Sequence, residues 1–510
     1  MTGSLRAAIA VLTLGVLVAS GLPGSGAAVP PAPTCTSGSA PLSVGTVACQ
    51  TVTTHLLGDG IQAPFAYYVP PECAPARRVE CPVLYLLHGF GGDYTEMVGT
   101  PATPSAWVSS LTSAPPAGFE SAPWLHADPK AWNAATHLPI ILVAPLGQTL
   151  AGGYGPGPGL DSYWADWNPR YAAGGDSPRY STPPPRFESF LLDELVPYVT
   201  ATFPTGRGRA WRAIGGVSLG GFGAYKDGLH HPDEWTSMVS VSGAMNFLFA
   251  PGIDPSSTPA SVGVQPPVPL PHVNLPALTG LLPRTGLPSQ AQTFLTALDA
   301  LGDPVADQAY FRGNTPRDLA MNGTLGIDGF VNDTIPRRTQ DVADPVSVAF
   351  EDVVLPMNID MQMAFADEKI PNTFAIHQGL HSDAYRNAWL RGLEEFAYAR
   401  LAHPDGSGHV AAAPAAFNYR TVSSAFSIWG WHVSVKRAPV EFLTMRDVSC
   451  HGLSLQGTGR VTVEIPPACH TALAGHTTFT VDLGPSMPLD EPGGAGALAV
   501  YGRTVTVALR

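Results

Sequence analysis

The sequence is poor in charge, and poorest in lysine. Charged residues make up 13% of the 510 positions, and lysine occurs only at Lys130, Lys226, Lys369 and Lys436. The balance of 27 basic against 40 acidic residues leaves a formal net charge of -13. Proteins that hold nucleic acid carry basic surfaces, so this balance argues against a nucleic-acid partner. It argues equally against an anionic membrane surface. Long apolar runs are lacking too, apart from one at the N-terminus, so nothing else can span a bilayer. No cysteine pair has CxxC spacing and no histidine cluster accompanies the cysteines. The sequence therefore calls for no metal and no cofactor. A Gly-X-Y period is absent, which excludes collagen, although Gly (54) and Pro (52) together make up about a fifth of the chain. Hydrophobic residues reach 45%, too many for a disordered chain. The Gly and Pro excess must then sit in loops and insertions around at least one sizeable core.

What is present starts with an export pattern. Arg6 precedes an apolar run from Ala7 to Ala19 and small residues from Gly24 to Ala28. This order reads as a secretory signal peptide over 1–28, and predicts a secreted or cell-envelope protein with no stable membrane insertion after cleavage. Residues 29–48 read as an N-terminal extension. Six cysteines suit an oxidising compartment. They fall in three close pairs, Cys35 with Cys49, Cys73 with Cys81, and Cys450 with Cys469, and local pairing would close three short loops.

From Cys49 the texture is that of an α/β fold. Thr51 to Leu57 and Phe65 to Val69 alternate like a hairpin. Short apolar runs then follow at Val83–Leu87, Ile140–Ala144, Trp211–Val217 and Met238–Val241, as expected of buried parallel strands. Helical spacing separates them at Glu188–Phe203, Leu219–Leu229, Asn358–Glu368 and Ser382–Leu401, with a further strand at Thr373–Gln378. Alternation of this kind implies a parallel sheet with right-handed crossovers, assigned to residues 49–404. Two irregular insertions, near 99–137 and 250–320, read as loops that shape a substrate pocket. Beyond Pro404 only short alternating runs occur, including Ile428–Val435 with Trp429 and Trp431 on one face. Residues 405–510 are therefore expected to form a sandwich-like all-β module.

One motif carries chemistry. Gly216-Val217-Ser218-Leu219-Gly220 follows a predicted strand and opens a predicted helix, the context of a nucleophile elbow. An activated serine needs a base and an orienting acid, and in this architecture they follow in the order Ser, acid, His. His381 lies just past the last predicted strand. Glu351, Asp352, Asp328 and Asp333 all lie between Ser218 and His381 and remain candidates for the acid. The oxyanion needs two N–H donors. Leu219 supplies one, and Phe90 in the Gly-rich segment His88-Gly89-Phe90-Gly91-Gly92 supplies the other, while His88 reads as structural.

These segments together resemble the putative-esterase family of α/β-hydrolases, which includes esterase D, feruloyl esterases and the antigen 85 mycolyltransferases. The resemblance runs from about Phe65 to Leu401 and leaves the C-terminal module outside it. It implies an α/β-hydrolase fold, Ser218 as nucleophile, His381 as base, and Phe90 and Leu219 at the oxyanion. The spacing of acid and base in feruloyl esterases points to Glu351. Asp161-Ser162-Tyr163-Trp164-Ala165-Asp166-Trp167 is similar to an aromatic active-site loop, which would put Trp164 and Trp167 at the substrate. The implied activity is a serine carboxylic-ester hydrolase acting on a small-molecule, lipid or polymer ester. An antigen 85-like acyltransferase on envelope sugars or lipids, and a non-catalytic polymer-binding protein on the same fold, are the alternatives.

Overall fold

The computed structural model describes residues 35–37, 41–100, 104–105, 108, 138–150, 161–169, 183–247, 249–250, 268–269, 300–302, 307–323, 328–335, 345–378, 381, 393–437, 440–472, 477–485 and 503–509. The leader at 1–28, most of the two insertions and the start of the helix expected at Ser382 lie outside them.

A nine-stranded sheet organises the first domain. Its strands are β1 (Thr36–Ser37), β2 (Val47–Thr54), β3 (Ile61–Tyr68), β4 (Val83–Leu87), β5 (Ile141–Pro145), β6 (Arg212–Val217), β7 (Ser237–Val241), β10 (Asp328–Ile335) and β11 (Asn372–Gln378). A separate two-residue pair, β8 (Phe249–Ala250) with β9 (Val268–Pro269), lies at the start of the second insertion. The spatial order is β1-β2-β3-β5-β4-β6-β7-β10-β11. The pairs β2·β3 and β3·β5 are antiparallel, and every pair from β5 to β11 is parallel. An antiparallel entry, then a swap of β4 and β5, then successive parallel strands is the α/β-hydrolase arrangement.

Composition explains the layers. Every residue of β4, β5 and β7 is buried, because helices cover both faces. Tyr85 and Leu87 point into one layer with Phe190, Leu195, Phe222 and Phe365. Leu84 and Leu86 point into the other with Met97, Val98 and Phe396. The first layer is built from three helices, the second from α1 (Tyr94–Val98) and residues 393–399. The three are α2, a continuous run of Phe187–Ser189, a π-helical Phe190–Leu195 and Val196–Thr202; α3 (Leu219–His230); and, past the short α4 (Gln308–Gly313), α5 (Pro345–Asp367).

Three expectations change here. The sheet starts before Cys49, since β1 pairs in parallel with β2 and the Cys35–Cys49 disulfide ties their ends together. Part of the segment read as an extension over 29–48 thus belongs to the sheet. The end of the second insertion is core as well: Phe311, Leu319 and Ala320 are buried in the helix layer. Its Pro content marked a 3-10 helix at Pro316–Gly323, which sequence texture does not separate from a loop. Finally, the acid candidates Asp328 and Asp333 lie inside the strand β10.

The C-terminal region is two four-stranded antiparallel sheets around one core. One is β12-β15-β16-β19 (Phe417–Thr421, Leu443–Ser449, Gly452–Gly457, Arg503–Ala508), and the other β13-β14-β17-β18 (Ala425–Ile428, Trp431–Lys436, Arg460–Glu464, Thr478–Asp482). Tyr419, Trp431, Met445, Leu455 and Val463 fill the space between them. The run read as one strand from Ile428 to Val435 is a hairpin that turns at Trp429 and Gly430, both with positive φ (50° and 80°), as a two-residue hairpin loop requires. Trp429 and Trp431 therefore do not share a strand face. Trp431 is in the core, while the Trp429 N–H donates to Asp233 Oδ2 at 2.9 Å and its ring lies under Arg209 at 5.3 Å. Tyr419 OH donates to His230 O at 2.7 Å. The module is thus pinned to the far end of α3. The remaining disulfides are Cys73–Cys81 and Cys450–Cys469. No helix among the described residues is long and apolar enough to cross a membrane.

Candidate active site

Ser218 follows the last residue of β6 and precedes the first of α3. Its backbone sits at φ 54°, ψ −119°, a strained region for a residue with a side chain. The strain is held from both sides. Ser218 N–H donates to Val241 O at 2.8 Å, and Phe222 N–H donates to Ser218 O at 3.1 Å. The two motif glycines are needed because backbone passes where a side chain would be. A Cβ on Gly216 would lie 2.3 Å from Gly220 backbone atoms, and one on Gly220 would lie 1.9 Å from Leu87 O.

The loop after β4 lies against this turn. A Cβ on Gly89 would come within 3.3 Å of Ser218 Cβ. Its amides are mostly committed: Gly89 N–H donates to Glu96 Oε2 at 3.2 Å, Gly91 N–H to Asp161 Oδ2 at 2.9 Å, and Gly92 N–H to Gly89 O at 3.1 Å. Among the described residues, the N–H groups of Phe90 and Leu219 meet no acceptor. Two carboxylates thus brace the loop on either side of Phe90. Burial, with repulsion from Glu96, pushes the Asp161 carboxyl up to about 7, against the pull of the Gly91 and Gln148 hydrogen bonds.

His88 is part of the frame. Its Nδ1 faces Gly89 O at 2.9 Å, and its Nε2 accepts from Gly147 N–H at 3.0 Å. That pairing requires the neutral Nδ1–H tautomer, and burial lowers its pKa to about 4.

Trp164 and Trp167, expected at the substrate, are instead packing residues. Each is 2% exposed. Trp164 Nε1–H donates to His88 O at 3.3 Å, and Trp167 Nε1–H donates to Ser162 O at 3.1 Å. A Cβ on Gly223 or Gly147 would strike the Trp164 ring at 2.6 or 2.4 Å. The aromatic loop thus backs the elbow, through two consecutive left-handed residues, Tyr163 (φ 55°) and Trp164 (φ 50°). An indole body with one N–H looks the same in a sequence whether it lines a pocket or plugs a core.

His381 and Glu351 come from the other side of the sheet's carboxyl edge. His381 lies three positions past β11, and Glu351 is in α5, the crossover between β10 and β11. His381 Nδ1 lies 2.8 Å from Glu351 Oε1. The carboxylate is fully buried and the imidazole is 9% exposed. A carboxylate at Nδ1 selects the tautomer whose acceptor lone pair is on Nε2. Register separates the other acids. Asp328 pairs with Ser237 at the start of β7, so it sits at the opposite edge from Ser218. Asp333 is one step past Asn332, which is level with Val241 and, through it, Val217. It reaches the elbow's height, but on a strand two positions away. Asp352 is the residue after Glu351 in α5.

Glu188, His230 and His231 are the described residues close enough together to hold a metal ion. Their chemistry is that of an ion cluster. Glu188 Oε1 faces both rings at 2.8 Å, Lys226 Nζ donates to its Oε2, and His230 Nε2 faces Gly313 O at 2.7 Å. An ammonium on the same carboxylate opposes a cation there.

The segment carrying both the elbow and the Trp164 loop has a counterpart among known families. Residues 161–271 match the putative esterase family. Over that segment the chain resembles carboxylic-ester hydrolases. Several solved structures are similar to roughly 70% of the chain. An S-formylglutathione hydrolase from Agrobacterium tumefaciens is 16% identical, covering 71% of this chain and 98% of its own, with a TM-score of 0.43. MPT51 of Mycobacterium tuberculosis is 17% identical, over 68% and 96%, with a TM-score of 0.38. A ferulic acid esterase from Anaeromyces mucronatus is 14% identical, over 70% and 91%, with a TM-score of 0.36. The fold assignment rests on strand order and register, not on these likenesses.

Proposed function

We propose that this protein is a secreted serine carboxylic-ester hydrolase that works through an acyl-enzyme. The observation that carries the reading is the buried Glu351–His381 bond at 2.8 Å on the same sheet edge as a serine held at φ 54°. In this reading Ser218 Oγ attacks the ester carbonyl carbon and its proton passes to His381 Nε2. Glu351 holds the imidazole and stabilises the imidazolium. The Phe90 and Leu219 N–H groups, left without acceptors, donate to the oxyanion. The tetrahedral intermediate then expels the alcohol, which takes the proton from His381. Water attacks the acyl-enzyme by the same route and releases the acid. The three disulfides support an extracellular site of action.

The test is labelling by a fluorophosphonate, together with hydrolysis of p-nitrophenyl acetate. Ser218 should be the labelled residue, and Ser218→Ala should lose at least about a thousandfold in kcat. If Ser218→Ala keeps its esterase activity, the reading fails. Product analysis in the presence of trehalose or glycerol separates hydrolysis from acyl transfer.

A further inference from the structure

A polar cavity of about 370 Å3 lies where the β module meets the catalytic domain. It is built away from the elbow. Asp367 and Glu368 bring the C-terminal end of α5 to it, and Glu351 is sixteen residues earlier, roughly 24 Å along a helix.

The module contributes a planned-looking row. Arg420, Thr444 and Gln456 are successive cross-strand partners on β12, β15 and β16, so their side chains share one face. Arg446, two residues after Thr444, extends that face. The alternate residues Tyr419, Leu443, Met445 and Leu455 fill the sandwich core. The face is fixed in place, because Asn322 clamps β12: Arg420 N–H donates to Asn322 Oδ1 at 2.7 Å, and Asn322 Nδ2 donates to Arg420 O at 3.0 Å.

Among the described residues, most charges around the cavity pair off, which leaves Arg420 and the carboxylate of Asp367 without an ion pair. Asp318 accepts two bonds from Arg312, at 2.9 and 2.5 Å. Arg317 Nε reaches Asp360 at 3.2 Å, and Arg446 is 3.7 Å from Glu368. Among the described residues, Arg420 has no carboxylate of its own. Its Nη1 reaches the Asp318 carbonyl at 3.4 Å, its Nε is buried without a partner, and the guanidinium lies 3.8 Å over the Phe442 ring. Burial, with the nearby Arg312, Arg446 and Arg317, depresses its pKa to about 10 despite Asp318. A half-buried guanidinium whose Nε is buried and idle carries a free-energy cost that an anion would recover.

We propose that this cavity binds a small molecule bearing an oxyanion, a carboxylate or a phosphate, through Arg420 and Arg446, with Thr444 and Gln456 bonding its other oxygens. The volume suits a monosaccharide-sized ligand. The site is independent of the esterase chemistry.

The experiment is calorimetry and thermal shift on the full chain at constant ionic strength, with inorganic phosphate, glucuronate and glucose as probes. Phosphate or glucuronate should bind saturably and raise Tm, while glucose should not; the tighter of the two identifies the anion. Ser218→Ala should bind like the parent. Arg446→Gln, at the open rim, should fold normally and bind about tenfold more weakly, and Arg420→Gln should abolish binding. The proposal is overturned if neither anion binds more tightly than about 10 mM, if glucose binds as well as they do, or if Arg446→Gln leaves the affinity unchanged.

Discussion

Glu351 and His381, thirty residues apart, meet at 2.8 Å through Oε1 and Nδ1. The helix that carries the acid is the crossover that delivers the strand before the base. A neutral isostere should therefore keep the fold and spoil the tautomer. Glu351→Gln is expected to lower kcat on p-nitrophenyl acetate by roughly a thousand- to ten-thousandfold, with Tm nearly unchanged. A variant within tenfold of the parent would remove Glu351 from the role.

The elbow glycines should differ from the loop glycine. At Gly220 a Cβ would sit 1.9 Å from Leu87 O, whereas at Gly91 it meets nothing within 4 Å and the difficulty is a φ of 72°. Gly220→Ala is expected to destabilise by at least about 2 kcal/mol and to abolish activity. Gly91→Ala should cost about 1 kcal/mol. Urea unfolding of both variants checks the order, and equal costs would contradict the packing described.

Asp161 gives the fold a pH dependence with a definite sign. Burial raises its carboxyl to about 7, so the folded state favours the protonated acid. Its contribution is full below about pH 4 and is lost as pH rises through about 7. Asp161→Asn keeps an acceptor for Gly91 N–H and removes the charge. It should be more stable than the parent at pH 8, by on the order of 2–4 kcal/mol, with the gap closing toward pH 5. Denaturation curves at the two pH values decide, and a constant gap would count against the mechanism.

His88 works in the opposite direction. Burial lowers its pKa to about 4, so the folded state favours the neutral ring. That contribution is present above about pH 6.5 and is lost as pH falls through 4. His88→Ala leaves Gly147 N–H and Gly89 C=O without the ring, at a cost of about 2–4 kcal/mol at pH 7.5. The penalty should shrink toward pH 4.5, which chemical unfolding at both values can measure.

Much of this architecture is legible one residue at a time. Val83–Leu87 is the strand β4 to the residue, and the helix after Ser218 begins at Leu219. Such runs declare themselves because a strand covered on both faces has no polar position to hide. The module's β15 and β16 went unanticipated, since Thr444, Arg446, Ser454 and Gln456 interrupt the apolar pattern on a face that turns out to meet the other domain. The hairpin at Trp429-Gly430 reads as a continuous strand in the sequence because two apolar strands joined by a two-residue turn look like one run.

Sequence alone determined the local geometry: the buried strand Val83–Leu87, and the sharp turn at Ser218 between Gly216 and Gly220. These depend on neighbours in the chain and on backbone sterics. Tertiary structure decided what long-range packing controls. It brought Glu351 onto His381, turned Trp164 and Trp167 inward against His88 and the elbow, and left Arg420 half-buried between two domains with no carboxylate partner among the described residues. A carboxylate, an indole or a guanidinium has the same intrinsic chemistry everywhere; its role comes from the groups that other segments place within 3 to 4 Å of it, as with the Glu351–His381 bond at 2.8 Å.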